Sequence, residues 1–377
     1  MRVVGLFAGI GGIELGLSRA GHQSLLLCEN DIGASAVLES RFPSIPKVSD
    51  VRSLETLPPE TELLAAGFPC QDLSQAGETR GIQGSRSGLV GEVFRLLEGQ
   101  RVPWVLLENV PFMLQLARGA AMDYIVTQFE RLGYRWAYRV IDTRAFGLPQ
   151  RRERVFFLAS LEEDPAPRLL LDNHQPVNEI DYRGQACGFY WTEGVRGLGW
   201  AVAAVPTLKG GSTVGIPSPP AIWMPDGRIV TPDVRDAERL QGFAVDWTKP
   251  AEKAGRASFR WKLVGNAVTV RVAKWVGEQL AARRAPEAAI APGAPITKAW
   301  PRAAFGDGRR GRFSVDATTW PVAYKQTPID EFLLYEPKEL SHKATSGFER
   351  RLTSSTLRAP DAFRAALRSH IQSMAGA

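Results

Sequence analysis

Short apolar runs alternate with amphipathic stretches along residues 1–160, the pattern of strands joined by crossover helices in a parallel sheet. Arg2–Phe7 reads as the first strand. Gly9, Gly11 and Gly12 make a turn, and Ile13, Leu17 and Ala20 space an apolar helical stripe that stops at Gly21, a residue suited to a left-handed cap. Ser24–Cys28 reads as the second strand, followed by a helical stretch through Ala36 and Leu38 that Pro43 ends. Further strands are expected at Glu62–Ala66, Trp104–Leu107, Arg135–Ile141 and Arg154–Ala159, with helices near Glu92–Leu97 and Met122–Leu132. Together these predict a doubly wound α/β domain with a mostly parallel sheet.

From about Leu161 to Val230 the helical period is lost. Glycine, proline and aromatic residues take over, and Asp226-Gly227 between Ile222-Trp223 and Ile229-Val230 predicts a β-hairpin. Helical patterns return at Val234–Leu240 and Ala267–Leu280, and the Pro/Ala stretch Ala285–Pro295 acts as a linker. The expected segments are a sheet domain at 1–160, a small region at 161–230, closing helices at 231–284 and an extension at 296–377. A helical pattern through Phe363, Ala366, Leu367 and Ile371 marks the extension as mostly helical.

The chain has 377 residues, 44% of them hydrophobic, enough for a sizeable core. Mean hydropathy is -0.14. No apolar run reaches the roughly 18 residues of a membrane span, and the start reads as a strand, not as a basic-then-apolar leader. Membrane insertion and secretion are not expected. Cys28, Cys70 and Cys187 are too scattered for a disulfide framework or a closed zinc site, and the four histidines add no metal-ligand spacing. A reducing cytoplasm fits. The net charge is +6, and residues 281–377 carry all of the excess, 15 Lys+Arg against 9 Asp+Glu. Nucleic acid is the usual partner of such a surplus; a solvated basic surface is the alternative.

Phe7-Ala8-Gly9-Ile10-Gly11-Gly12 follows a strand and opens a helix, so its backbone can approach a nucleotide closely. Glu29, at the end of the second strand, is placed to accept both ribose hydroxyls. A dinucleotide fingerprint would want a third glycine at position 14, where Glu14 stands. S-adenosylmethionine, which has a ribose and a carboxylate but no phosphate, therefore fits better than NAD. A tight turn beside an unrelated acid is the alternative.

Gly67-Phe68-Pro69-Cys70-Gln71 directly follows an expected strand, which puts Cys70 at the carboxyl edge of the sheet. Cys28, inside an apolar strand, reads as a small buried hydrophobe. Cys70 sits in a polar loop, where the reactive thiolate can form. A base deaminase would need a second cysteine three residues on and an upstream His-x-Glu; Leu73 stands there and no His-x-Glu occurs. Trp104–Leu107 ends in Glu108-Asn109-Val110, so Glu108 should emerge near the Cys70 loop, half-buried and able to hold a proton at neutral pH. In Gln150-Arg151-Arg152-Glu153-Arg154, residues 150, 152 and 154 share one face of an extended segment. Alternate guanidiniums suit a phosphate backbone or a base carbonyl, although a solvated charged face would explain each segment singly.

In this order, the Phe7–Gly12 loop, Glu29, Asp50, the Cys70 loop, Glu108-Asn109-Val110, Gln150/Arg152/Arg154, Arg239-Leu240-Gln241-Gly242-Phe243 and Gly265-Asn266-Ala267-Val268 resemble the bacterial and phage DNA (cytosine-5) methyltransferases. The resemblance spans most of residues 3–280. It implies the class I S-adenosylmethionine-dependent methyltransferase fold with a small inserted target-recognition region, and methyl transfer to C5 of cytosine in double-stranded DNA without a metal. Cys70 would add to C6, Glu108 would donate to N3, and Arg152, with Arg154 beside it, would hold the O2 side. Phe7, Gly9, Ile10, Gly11, Gly12, Glu29, Asn30, Asp50, Val51, Pro69, Asn266 and Val268 would line the cofactor, with Asp50 accepting from the adenine amino group. The far-chain pair Asn266 and Val268 implies a closing helix that packs back on the first domain. Asn30 stands where an aromatic residue often stacks on adenine, and Thr269 where a proline is common.

A stacked base hides the reacting atoms, so base flipping is expected. Gln71 and Ser74, at the start of a loop that by resemblance is the mobile catalytic one, are expected on DNA with Gln150, Arg196, Lys209 and Arg228. The extension is expected to add to the grip on DNA. The expected partners are double-stranded DNA and a cognate restriction or defence nuclease, with the chain acting as a cytoplasmic monomer. The same chemistry on transfer-RNA cytosine is the alternative.

Overall fold

The structure is a computed structural model, and it describes all residues except 70–87, 177–180, 211–217, 256–258, 283–289, 298 and 376–377. β1 (Arg2–Leu6), β2 (Gln23–Cys28), β3 (Lys47–Val48), β4 (Leu63–Ala66) and β5 (Trp104–Asn109) are parallel neighbours in the order β3-β2-β1-β4-β5. The sheet continues with β6 (Arg135–Asp142) and, after the short β7 (Gln150–Arg151), with β8 (Glu153–Ser160). β8 lies between β5 and β6 and runs against both.

Period-two alternation gives this sheet two buried faces. Val4, Leu6, Leu64, Ala66, Val105 and Leu107 enter one core, while Val3, Leu63, Ala65, Trp104 and Leu106 enter the other. The first core is covered by the helices Leu89–Gly99 and Ala120–Arg131 through Val93, Phe94, Ile125 and Phe129. The second is covered by α1 (Gly12–Arg19) and by the helix Val270–Ala281, which returns from far along the chain. These two helices cross closely because a Cβ on Gly16 would lie only 2.5 Å from that of Ala273.

The region after the large sheet forms a second, smaller one. Its strands are β9 (Cys187–Phe189), β10 (Ala201–Val202), β12 (Ala221–Trp223) and β13 (Ile229–Thr231), with β11 (Val205–Pro206) pairing instead with β7. β12 and β13 are the expected hairpin, closed at Gly227 with φ +92°. Strand β11 thus ties this region to the entry of β8.

The stretch after 296 departs from a mostly helical extension behind a linker. β14 (Ala303–Asp307) and β15 (Gly311–Ser314) form a hairpin that adds to the large sheet alongside β6, giving the order β15-β14-β6-β8-β5-β4-β1-β2-β3. β16 (Lys338–Glu339) then pairs with β13. Only beyond it do the helices His342–Thr353 and Asp361–Ala375 follow, and their Phe348, Leu352, Phe363 and Leu367 bury Phe189, Ala221 and Ile229. The physical reason is the sheet edge: β6 would otherwise present a row of unpaired backbone groups, and the hairpin pairs them. Among the described residues no helix is long and apolar enough to cross a membrane.

Candidate active site

The carboxyl ends of adjacent strands bring the motif residues to one edge of the sheet. The glycine loop leaves β1, Glu29 ends β2, Asp50 follows β3, Gly67 to Pro69 follow β4, and Glu108 ends within β5. This is the edge at which open α/β folds bind ligands.

Phe7, Gly9 and Gly11 hold the loop in left-handed backbone, with φ of +55°, +54° and +80°. The glycines serve different purposes. A Cβ on Gly11 would lie 2.4 Å from the Phe42 ring, and one on Gly12 would lie 2.5 Å from the Val268 carbonyl oxygen. A Cβ on Gly9 would meet nothing within 4 Å, so its side of the loop stays open to a guest. Ile10 is buried beneath the loop. Glu29 Oε2 accepts the Gly9 N–H at 2.7 Å and Oε1 accepts the Asp31 N–H at 2.7 Å, which fixes the carboxylate against the loop. Asn30 is exposed beside it.

Asp50 is already engaged. Its carboxylate accepts the Arg52 backbone N–H and pairs with the Arg52 guanidinium at 2.7 Å, which holds it below the usual carboxylate range. Val51 is buried in the core, and Asn266 is exposed where a Cβ on Gly210 would come 2.4 Å from its Oδ1. Glu14, at the missing third glycine position, is buried with no hydrogen-bond partner for either carboxyl oxygen among the described residues. Burial raises its carboxyl to about 7.

Cys70, Gln71 and Ser74 lie outside the described residues. The chain that leads into Cys70 is described as far as the exposed Pro69. A Cβ on Gly67 would lie 3.5 Å from Glu108 Oε2, so the loop passes across the Glu108 carboxyl. Asn109, whose role the sequence left unassigned, is buried and donates from Nδ2 to the Phe68 carbonyl at 3.0 Å. Its amide fastens the Cys70 loop to β5. Glu108 is buried, and desolvation pushes its carboxyl above the usual range although the Arg154 and Arg152 guanidiniums pull it down. Arg154 Nε lies 3.1 Å from Glu108 Oε1.

Gln150 and Arg152 both reach Leu208, and Arg152 and Arg154 both act on the Glu108 carboxyl. The extended segment breaks at residue 152, between β7 and β8. Arg152 is 1% exposed and donates to the carbonyls of Leu208, Gly265 and Ala267. Gln150 is fully buried, donates to the Leu240 carbonyl and accepts the Leu208 N–H. Both side chains therefore clamp the small region and the closing helices to β8, while Arg154 makes the close ion pair with Glu108. A cleft of about 430 Å³ opens at this point, lined by Pro111, Arg151, Glu153, Arg154 and Thr207.

The expected DNA contacts of the small region differ in their freedom. Lys209 pairs with Glu193 and lies 3.7 Å from the Tyr190 ring centroid, and Arg228 pairs with Asp226 and Glu336. Arg196 is exposed without an ion-pair partner among the described residues. No cluster of His, Cys, Asp and Glu among the described residues could hold a metal ion.

Comparison with known proteins agrees with this geometry. A family model, C-5 cytosine-specific DNA methylase, matches residues 1–185. The Type II methyltransferase M2.BsuMI of Bacillus subtilis (strain 168) is 50% identical over 366 residues, covering 92% of this chain and 92% of its own. The Type II methyltransferase M.DsaV of Dactylococcopsis salina is 27% identical over 74% of this chain and 86% of its own. The fold is similar to that of the S. pombe Dnmt2 methyltransferase, with a TM-score of 0.52 at 16% identity, over 73% of this chain and 96% of that one. With its glycine loop, its buried strand-end glutamate and half of its residues shared with a relative of matching length, the chain belongs to the C-5 cytosine-specific DNA methylase family.

Proposed function

We propose that this enzyme methylates C5 of a cytosine in double-stranded DNA through a transient bond between Cys70 and C6 of the flipped base, as the modification partner of a restriction nuclease. The observation that carries the reading is Glu108, a buried carboxyl that desolvation pushes above the usual range, beside the loop that leads to Cys70 and 3.1 Å from Arg154. The Type II names of the relatives support the restriction context.

S-Adenosylmethionine fits the open side of the Gly9 loop, where Glu29 would hold its ribose and the backbone of Phe7 to Gly12 would approach it; Asp50, Val51, Pro69, Asn266 and Val268 border the same edge. When bound, it supplies the electrophilic methyl group that C5 takes up. Cytosine C5 is a weak nucleophile until C6 is saturated, and a thiolate suits that soft, electron-poor carbon. As the Cys70 sulfur–C6 bond forms, the ring electrons move toward N3 and C5, and Glu108 protonates N3. Arg154, held by Glu108, offers its guanidinium to the O2 side. Loss of the C5 proton to water and departure of Cys70, with the N3 proton returning to Glu108, restore the aromatic ring.

Incubation with labelled S-adenosylmethionine and either duplex DNA or transfer RNA tests the substrate: label is expected in DNA alone, and label in transfer RNA alone overturns the reading. A duplex carrying 5-fluorocytosine is expected to remain attached to the enzyme and not to a Cys70→Ser variant. Failure of the wild-type enzyme to form the adduct, with methylation of ordinary DNA intact, would refute the covalent step.

A further inference from the structure

A second and larger cleft, of about 1020 Å³, lies on the other side of Arg151 from the Glu108 site. Arg151 lines both, so the two are neighbours across one exposed side chain. Three parts of the chain build the larger cleft: the end of β6 through Arg144, the small region through Tyr182 and Trp200, and the strap between β15 and β16 through Trp320, Tyr324 and Lys325.

The chemistry of its walls is specific. Of the charged groups that line it, Arg144 is neutralised by Asp142 at 2.7 Å and Asp181 by Arg183 at 3.2 Å. Arg151 and Lys325 have no carboxylate partner among the described residues, which leaves the cleft with unbalanced positive charge. Around these cations stand four aromatic side chains, and Tyr324 is 55% exposed. Trp320 is buried, and its indole N–H finds no acceptor among the described residues, whereas buried indoles ordinarily have one.

We propose that this cleft is a second nucleic-acid subsite, one that takes unpaired nucleotides of the DNA strand beyond Arg151. The inference rests on DNA being the substrate. A duplex hides its ring faces in the stack and offers a protein its phosphates and groove edges, so aromatic walls gain nothing from it. Bases outside the stack expose those faces, and rings interleaved with cations are how proteins hold them. The volume is that of a nucleotide-sized guest and too small for a double helix. Bases left unpaired by a nearby break in the duplex would lie within reach of Arg151.

The test uses the full chain and a fluorescently labelled oligothymidylate, which contains no cytosine to methylate. Wild-type protein is expected to bind it, and a Tyr324→Ala/Lys325→Glu variant is expected to bind about tenfold more weakly. Methylation of a blunt duplex should be unchanged in the variant, and Tyr324→Phe/Lys325→Arg should restore the binding. Lys325→Glu alone, on an exposed side chain, guards against misfolding and is expected to lose part of the affinity. Equal binding by wild type and both Lys325→Glu proteins overturns the proposal, as does absence of binding by the wild type. Tighter binding of oligouridylate than of oligothymidylate overturns it in favour of an RNA ligand. A protein that binds oligothymidylate through Lys325 yet labels no duplex sustains the subsite while removing the methylation reading.

Discussion

Glu108 and Glu14 are both buried carboxyls, and their neighbours set them apart. Glu108 has Arg154 at 3.1 Å, so either charge state has a partner. Glu108→Gln is expected to lower kcat by roughly 10²–10⁴-fold with little change in Tm. Its carboxyl is raised, so the proton is lost as pH climbs through that value, and the wild-type rate should fall on that alkaline limb while the variant's does not. Glu14 has no such partner and acts on stability instead. The unfolded chain releases its proton near 4.5, and the folded chain keeps it to about 7. This contribution is therefore fully present below about 4.5 and is lost as pH rises to about 7, a change of about 3 kcal/mol. Thermal melts across that window should show the decline in wild type and a flatter profile in Glu14→Gln. Glu108 was legible in the sequence because it ends a uniformly apolar strand. The burial of Glu14 was not, because it depends on α1 lying against Gly5, where a Cβ would sit 2.3 Å from the Glu14 carboxyl.

Between strands, the loops carry the chemistry, and the glycine loop separates crowding from conformation. Gly11→Ala would drive a methyl group into Phe42 at φ +80°, so it is expected to lower both Tm and S-adenosylmethionine affinity. Gly9→Ala meets no neighbour and carries only the left-handed strain, about 1–2 kcal/mol. It should melt within several degrees of wild type while losing affinity for S-adenosylmethionine in calorimetry, because the methyl occupies the open side. Equal loss of stability in the two variants would contradict this division. Local spacing was enough to find the loop and the parallel strands. For residues 150 to 154 it grouped the side chains but did not give their partners. Arg152 donates to three carbonyls of later segments, partners that no local pattern announces.

Across the whole molecule, the stretch after 296 is part of both sheets, not an appendage. Removal of residues 296–377 is expected to uncover β6 and strip the cover from Phe189 and Ile229, giving a chain that aggregates on size-exclusion chromatography and loses cooperative unfolding. A truncated chain that stays monomeric and melts sharply would contradict that expectation. The basic excess of this stretch was readable from composition, but its pairing was not. β14 is short and contains glycine, β16 has only Lys338 and Glu339, and both find partners remote in sequence. Charge reversal at the exposed Lys343 and Arg350 therefore tests the grip on DNA more cleanly than deletion does, with a shallower salt dependence of affinity expected.

Phe363 and Leu367, in the helix Asp361–Ala375, complete the packing around β9 and β13. That helix leaves the ribosome after everything it covers. At 5–20 residues per second, roughly, the glycine loop and the large sheet's parallel strands can assemble early in translation, while the smaller sheet waits for the closing helix. A nascent chain thus assembles the sheet edge that carries the glycine loop, Glu29 and Glu108 well before the smaller sheet is covered, and a ribosome stalled late in the message would hold a folded half with its smaller sheet still open.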